Sequence, residues 1–241
     1  MTRKEYIIIS ILVIIILIFS MLIIISTIEN PTENNVSMPY REVLANNSDD
    51  PGTVEVIRNI GNPNGSKIAY VVGVHPLEHE THETLVELLP EMANLTHSYD
   101  IYIINVSEGV GSYGGGFSDY DDPGRQNGQN LAYEYVYPEI RNGDYRLAID
   151  VHSNVGAYDY KTFVFCPVKE GLGVEYAEDV ANDCPDIVYF APDSTTSGPY
   201  LTIPLNDNGI PAFYFEEYSF ADQDLKDDHM TELILAVDKI I

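Results

Sequence analysis

Basic side chains are scarce in this sequence of 241 residues, which holds 12 Lys and Arg against 38 Asp and Glu, a formal net charge of −26. Ten of the basic and 37 of the acidic residues follow residue 28, so this part of the chain carries a net charge of −27. Such a surface repels phosphate groups. The composition therefore argues against nucleic acid and anionic lipid headgroups as partners, and it predicts a solvated exterior.

Cysteine is scarcer still, with only Cys166 and Cys184 in the chain. They are not in a Cys-x-x-Cys spacing, so they are a weak signal for a metal site. An oxidising environment would permit a bridge between them, and the sequence leaves open whether their geometry allows it. The Gly-rich segment 107–124 lacks Gly-Lys-Ser/Thr, and its aspartates complete no known calcium loop, so neither a phosphate cradle nor a calcium site is predicted there.

A long apolar run occupies residues 6–28, where 23 residues carry no charge. A bilayer core needs about 20 such residues, so the run predicts a transmembrane anchor. Arg3 and Lys4 precede it, which places residues 1–5 in the cytoplasm and the C-terminal domain outside the cell membrane. A cleaved signal peptide is the alternative, although the run is long for one and no Ala-x-Ala-like site follows it.

Residues 29–52 are rich in Asn, Ser, Asp, Pro and Glu, which predicts a polar stalk between the anchor and a domain at 53–241. In that domain, apolar runs typical of buried strands alternate with segments of helical periodicity. The pattern predicts a single α/β domain with a central mixed, mostly parallel sheet flanked by helices. The strands are expected at 54–57, 67–74, 100–106, 146–151, 161–168, 187–190 and 211–215, and the helices at 85–95, 174–183 and the C-terminus.

Three polar residues follow three of these strands: His75, with Glu78 three positions later, then His152, and then Glu216. The carboxyl ends of strands in an open α/β sheet face one crevice. Two imidazoles and one carboxylate are a common ligand set for catalytic zinc, with a fourth position left for water. The sequence therefore predicts a Zn²⁺ site held by His75, Glu78 and His152.

A glutamate that does not bind the metal is needed to take the proton of the attacking water and pass it to the leaving group. The predicted strand that ends at Phe215 is followed by Glu216 and Glu217. Neighbouring residues of a strand point to opposite faces, so only one of the two carboxylates can reach the crevice. Glu216 is the first choice for this role, and Glu217 stays open as the alternative.

Three stretches in this order resemble the zinc carboxypeptidase clan, and they are most similar to its succinylglutamate desuccinylase/aspartoacylase-like branch. They are VVGVHPLE at 71–78, AIDVHS at 148–153 and IPAFYFE at 210–216. The resemblance implies that His75 and Glu78 are the first two metal ligands and His152 the third. It also implies that Glu216 is the general base and acid.

A fourth motif of the clan is only partly present. The resemblance implies that Arg125 steadies the developing oxyanion and that Asn130, five residues later, contacts the substrate. Family members continue with an Asn-Arg pair that grips a substrate carboxylate, and Ala132-Tyr133 stands there in this chain. Tyrosine cannot mimic a bidentate arginine, which argues against true carboxypeptidase action unless another arginine substitutes in space. The candidates are Arg141 and Arg146, and Tyr200 is a further candidate for substrate contact.

His75 to His79 also reads His-x-x-Glu-His, the inverted zincin pattern, which requires both histidines on one helical face. Pro76 argues against it, because the residue before a proline is disfavoured in a helix. His79, His82 and Glu83 are instead expected to face solvent at the start of the following helix.

Together these features predict a membrane-anchored, extracytoplasmic zinc hydrolase that cleaves an amide bond in a peptide or N-acyl amino acid. The alternative is a catalytically inactive binding or adhesion domain, which the Ala132-Tyr133 replacement motivates. The sequence leaves the oligomeric state open.

Overall fold

The computed structural model describes residues 38–49, 52–106, 123–193 and 195–241. The predicted anchor at 6–28 and the first part of the predicted stalk lie outside these ranges. Within the ranges described, no helix is long and apolar enough to cross a membrane.

A mixed sheet forms the centre of the domain, and eight strands of the described ranges belong to it in the order β1-β2-β4-β3-β5-β8-β6-β7. The four central strands β4, β3, β5 and β8 run parallel, β2 and β6 are antiparallel to their central neighbours, and β1 is antiparallel to β2. The strands are β1 (Tyr40–Asn47), β2 (Gly52–Gly61), β3 (Lys67–Val72), β4 (Ser98–Val106), β5 (Tyr145–Asn154), β6 (Phe163–Phe165), β7 (Val188–Tyr189) and β8 (Ala212–Tyr218).

Helices cover both faces of the sheet. One face packs against α1 (His79–Glu91), α4 (Leu172–Asp183) and α6 (Gln223–Ile240). The other packs against α2 (Pro123–Leu131), which continues through a π-helical turn (Ala132–Val136) into α3 (Tyr137–Asn142), and against α5 (Thr202–Asp207). The predicted α/β domain with a mixed sheet between helices is thus confirmed.

Alternation along the central strands explains the two packed layers. In β3, Ile68, Tyr70 and Val72 join the core under α1, α4 and α6, while Ala69 and Val71 join the core under α2, α3 and α5. A strand buried on both faces must be apolar throughout, which is why the run at 67–74 predicts it correctly.

The predicted stalk is corrected from residue 40 onward, because β1 is an edge strand paired with β2. Two cross-strand ion pairs support this pairing, at 3.1 Å between Arg41 and Glu55 and at 2.8 Å between Arg58 and Glu42. The strand lies at the sheet edge with an exposed outer side, so its composition is polar like that of a linker. The sheet therefore begins before the predicted boundary at 53.

The predicted helix at 85–95 is shorter at its end, because α1 stops at Glu91, one residue after Pro90. The predicted loop at 107–124 falls mainly on residues outside the described ranges, and its last two residues begin α2. Cys166 and Cys184 are both buried free thiols, so the open question of a bridge is answered in the negative.

Candidate metal centre

The site begins where β3 ends. Gly73 has a φ of +88°, and a Cβ there would clash with the carbonyl oxygen of Ile104, so only glycine fits this turn. His75 follows in extended conformation and precedes a 3₁₀ turn at Pro76–Glu78, whose Glu78 N–H donates to the His75 carbonyl at 3.2 Å. This turn folds the Glu78 carboxylate back, so that its Oε1 lies 2.9 Å from His75 Nδ1.

His152 reaches the same point from β5, the strand beside β3. Its Nδ1 lies 2.9 Å from Glu78 Oε2 and 3.0 Å from His75 Nδ1. The Ser153 N–H donates to Glu78 Oε2 at 3.0 Å and fixes that carboxylate. Each of the three residues predicted as metal ligands thus offers one atom to a group whose members lie within 4.8 Å of one another.

This donor set fits a divalent cation. Two nitrogens bound at about 2 Å to one tetrahedral ion lie about 3.3 Å apart, close to the separation of the two Nδ1 atoms. His75 and His152 are buried, so their nitrogens have lost the water that would otherwise satisfy them. The inverted zincin interpretation is wrong, because His79 is exposed on the helix and takes no part in the cluster.

The side chains of the cluster shift one another's pKa values. Burial lowers the pKa of His75 to about 3. Burial would raise the pKa of Glu78, but His75 and His152 outweigh it and hold that pKa well below its usual value. Burial also opposes the charged form of His152, but Asp150 and Glu78 outweigh it and raise its pKa well above the ordinary value. A cation at these atoms therefore competes with a proton on His152.

Glu216 lies beside His152 in the parallel pairing of β5 with β8. Its Oε2 is buried and has no hydrogen-bond partner among the residues described. Burial is the main reason that the pKa of Glu216 is raised to about 8, with contributions from Glu78 and Asp150. A carboxyl that exchanges its proton near neutral pH is suited to act as both base and acid.

Glu217 points to the other side of β8 and is 1 % exposed. Its carboxylate accepts from Thr162 Oγ1 at 2.9 Å and pairs with His229 Nδ1 at 2.8 Å. Of the two glutamates that the sequence left open, the structure thus brings Glu216 to the cluster.

Arg125 approaches the cluster from α2, with Nη1 2.6 Å from His75 Nδ1 and Nη2 4.0 Å from Glu78 Oε1. The helix comes this close because residue 128 is glycine, where a Cβ would clash with the Val74 carbonyl oxygen. One turn after Arg125, the buried Gln129 places its Nε2 3.2 Å from His75 Nε2.

Three contacts of the site were not predicted from the sequence. Gln129 is one, and its spacing of four from Arg125 would have placed both on one helical face. Asp150 is the second, with Oδ1 3.0 Å from His152 Nε2, and its spacing of two from His152 would have placed both on one face of β5.

His82 is the third, and here the expectation of a solvent-facing residue is wrong. It is 6 % exposed, and its Nε2 donates to the Val151 carbonyl at 3.0 Å, one residue before His152. His79 and Glu83 do face solvent, as predicted, with side chains 63 % and 72 % exposed.

A cavity of about 690 Å³ opens over the cluster, lined by His75, Glu78, Arg125, His152 and Glu216 among others. Asn130 and Tyr200, predicted as substrate contacts, are not among its described lining residues. Gln126 Nε2 donates to Asn130 Oδ1 at 2.8 Å and to the Tyr200 hydroxyl at 2.9 Å. One helical step turns Asn130 about 100° away from the inward-facing Gln129. Contact of Asn130 and Tyr200 with a substrate stays a prediction.

The positions that replace the Asn-Arg pair are also outside the cavity lining. Ala132 is buried in the core, and Tyr133 is half exposed and stacks on Tyr137 with ring centroids 5.5 Å apart. Arg141 lies over the ring of Tyr137 at 6.0 Å, and Arg146 stands at the amino end of β5, at the opposite edge of the sheet from the site. Neither arginine is therefore placed to replace the missing Asn-Arg pair.

No family model matches the sequence, and no curated protein matches it. Solved structures do match its fold. A metallo-carboxypeptidase from Burkholderia cenocepacia superposes with a TM-score of 0.53 at 12 % identity, over 84 % of this chain and 64 % of that one. The product-bound cell shape determinant protein Csd4 from Helicobacter pylori gives 0.52 at 11 % identity, over 76 % and 54 %. A succinylglutamate desuccinylase/aspartoacylase from Rhodobacter sphaeroides gives 0.45 at 13 % identity, over 85 % and 66 %.

The chain thus has the fold of the metallo-carboxypeptidases, as its resemblance to the zinc carboxypeptidase clan predicts. It spans less than two thirds of the length of the first two of these structures.

Proposed function

We propose that this chain is a zinc-dependent hydrolase that cleaves an amide bond in a peptide or an N-acyl amino acid. One observation carries the proposal: His75, Glu78 and His152 converge within 4.8 Å, and the cavity above them is also lined by Glu216, whose Oε2 is unpaired among the described residues. The fold supports the proposal, because a structure that superposes on this chain is a metallo-carboxypeptidase.

His75, Glu78 and His152 would hold the ion. The chemistry that a bound zinc ion supplies is polarisation of the carbonyl and a lowered pKa for water. Glu216 accepts the proton of the attacking water and returns it to the leaving nitrogen, which its raised pKa permits. Arg125, held beside His75, donates to the carbonyl oxygen as negative charge develops there. Asp150, through its contact with His152 Nε2, orients that imidazole.

The proposal also includes a cellular location. The apolar run at 6–28 would anchor the chain in the cell membrane, and the basic residues before it would keep residues 1–5 in the cytoplasm. The domain that carries the site would then face outward and meet substrates outside the cell. Protease digestion of intact cells tests this, because an outward domain is degraded and a cytoplasmic one is protected.

The metal is tested by elemental analysis of the full-length chain in detergent. Wild type is expected to hold one zinc per chain, and His75→Ala and His152→Ala to hold little. His79→Ala is the matched control, because this exposed histidine four residues from His75 makes no contact with the cluster.

Catalysis is tested on a panel of peptides and N-acyl amino acids with free and blocked termini. Glu216→Gln is expected to keep its zinc and lose hydrolysis by a factor of about 10² or more. A zinc-loaded wild-type protein that cleaves nothing on the panel would instead support the non-catalytic binding domain.

A further inference from the structure

The cavity above the cluster is short of positive charge. Among its described lining residues, Arg125 is the single Lys or Arg, and it stands against four carboxyl groups, those of Glu78, Asp159, Asp193 and Glu216, the last of which is mostly protonated at neutral pH. Apart from the proposed zinc ion, a substrate that enters this cavity therefore meets few side chains able to neutralise an anion.

The one arginine of this described lining is already engaged by the cluster. Arg125 Nη1 lies 2.6 Å and 2.7 Å from the two ring nitrogens of His75, and Nη2 lies 4.0 Å from Glu78 Oε1. In the proposed reaction this guanidinium would donate to the scissile carbonyl oxygen. It cannot also grip a carboxylate further along the substrate, because that needs a second planar pair of donors.

Two of the four carboxylates are free to meet a substrate. Asp159 and Asp193 lie in the segments after β5 and β7, and neither side chain has an ion pair or a hydrogen bond within the part of the chain described. An aromatic cluster joins the two segments. The ring centroid of Phe190 lies 6.3 Å from that of Tyr158 and 5.3 Å from that of Tyr160, and these two tyrosines are the neighbours of Asp159 in the sequence. Aromatic faces and carboxylates together favour an ammonium or an uncharged group over an anion.

The net charge of the whole chain also disfavours anionic substrates. A formal net charge of −26 repels anionic substrates, and a cleft with low-dielectric walls concentrates that field.

From this charge distribution we infer that the site selects amides whose leaving amine carries a neutral or cationic group and rejects those with a free carboxylate beside the scissile bond. The inference rests on the proposed amide hydrolysis and names its substrate class. Such an enzyme cuts blocked or internal amide bonds, and it does not trim residues from a free carboxyl terminus.

The test uses three substrates with the same acyl group, whose leaving amines are glycine amide, free glycine and lysine amide. The zinc-loaded full-length chain is expected to cleave the two amides with a kcat/KM about tenfold or more above that of the free acid. The lysine amide is expected to be the best of the three, and its advantage is expected to shrink as salt rises and screens the field.

Variants locate the source of the selectivity. Asp159→Asn combined with Asp193→Asn is expected to raise the relative rate on the free acid and to reduce the advantage of the lysine amide. The control is Asp179→Asn combined with Asp207→Asn, which changes the net charge equally at exposed positions outside the cavity lining. A free acid that is cleaved as well as the amides, or a ratio that is unchanged in the cavity variant, would overturn the inference.

Binding separates this inference from the proposed function. The Kd values of the three compounds are measured by calorimetry on metal-loaded Glu216→Gln, which requires no turnover. Tighter binding of the amides without any hydrolysis by the wild type would support the charge selectivity and contradict the proposed function. Tight binding of the free acid together with hydrolysis would support the proposed function and contradict the charge selectivity.

Discussion

At the scale of single residues, His82 connects α1 to the candidate metal centre, although it is not one of the three proposed ligands. Its hydrogen bond to the Val151 carbonyl fixes the end of β5, where the next residue is His152. We expect His82→Ala to weaken zinc binding by about 10- to 100-fold, the usual effect of removing a residue that orients a ligand. Competition with a coloured chelator measures the affinity.

His79→Ala is the control for this prediction, because it removes an exposed imidazole three residues away on the same helix. His82→Gln, which keeps an N–H donor, is expected to recover part of the affinity. Loss of thermal stability in His82→Ala with unchanged zinc affinity would show that His82 only supports the fold.

Glu216 makes stability depend on pH in the metal-free protein. Burial raises the pKa of its carboxyl from 4.5 to about 8, so the folded state binds a proton that the unfolded state releases. Between about pH 4.5 and 8 the folded state holds more protons, and the free energy of unfolding therefore falls as pH rises, by at most about 1.4 kcal/mol for each pH unit.

Glu216→Gln removes this titration. In chelator-treated protein we expect the variant to be close to wild type in melting temperature at pH 5 and more stable than wild type at pH 8. Thermal melts across this pH range measure the difference. A constant difference between the two proteins at all pH values would mean that the Glu216 carboxyl titrates normally.

Three of the predicted site residues that the structure brings together share one property: each is expected where an apolar strand ends. His75, His152 and Glu216 each follow an apolar run, and parallel strands bring such ends together. His82 and Gln129 could not be found in this way, since a polar residue on a helix looks solvent-exposed until the helix has a docking partner. Their roles depend on tertiary packing.

At the scale of secondary structure, α2 delivers Arg125 and Gln129 because its backbone rests against the end of β3. A Cβ at Gly128 would clash with the Val74 carbonyl oxygen. We expect Gly128→Ala to displace the helix and to cost about 1–3 kcal/mol of stability, as overpacking does. Denaturant unfolding measures this loss.

The displacement is expected to lower kcat more than it lowers zinc affinity, because Arg125 moves and the three ligands do not. Asn127→Ala is the matched control, since it places an alanine at the preceding position of the same helix without adding a Cβ. Equal effects of the two substitutions on kcat would show that the close approach of α2 is unimportant for activity.

Strands were easier to predict than helices. A strand buried on both faces requires a continuous apolar run, as at 67–74, whereas α2 contains two glycines and two asparagines, which have weak helix propensity. It is a helix because the sheet and the site cover its inner side. The edge strand β1 was missed for the opposite reason, since its exposed face needs no apolar residues.

At the scale of the whole molecule, the site joins elements that are distant in sequence, so a bound ion would stabilise the entire domain. We expect chelation of zinc from the full-length chain to lower its melting temperature by on the order of 10 °C at zinc concentrations near 1,000 times Kd. Differential scanning calorimetry with and without chelator measures the change.

His152→Ala is expected to melt at the same temperature with and without chelator, because it has lost the site. A wild-type protein that is equally insensitive would contradict the assignment of the cluster as a metal centre. The same variant separates binding at the cluster from adventitious binding at the acidic surface.

The domain architecture could be predicted at this scale because alternating strands and helices have few ways to pack. The domain boundary could not, because a polar edge strand and a linker have the same composition. The substrate also could not be read from the motifs, since the charges that surround the cavity come from segments after β5 and β7 that carry no recognisable pattern.

The ligands His75, Glu78 and His152 lie on either side of the β3–β5 pairing, with some seventy residues between the first pair and the last. A growing polypeptide that has emerged only as far as β4 possesses two of the three donors and no way to enclose an ion. Under the proposed function, zinc would therefore be captured late, after the centre of the sheet has assembled. If the domain is delivered across a membrane unfolded, the ion must be acquired at the destination, from whatever zinc that compartment offers.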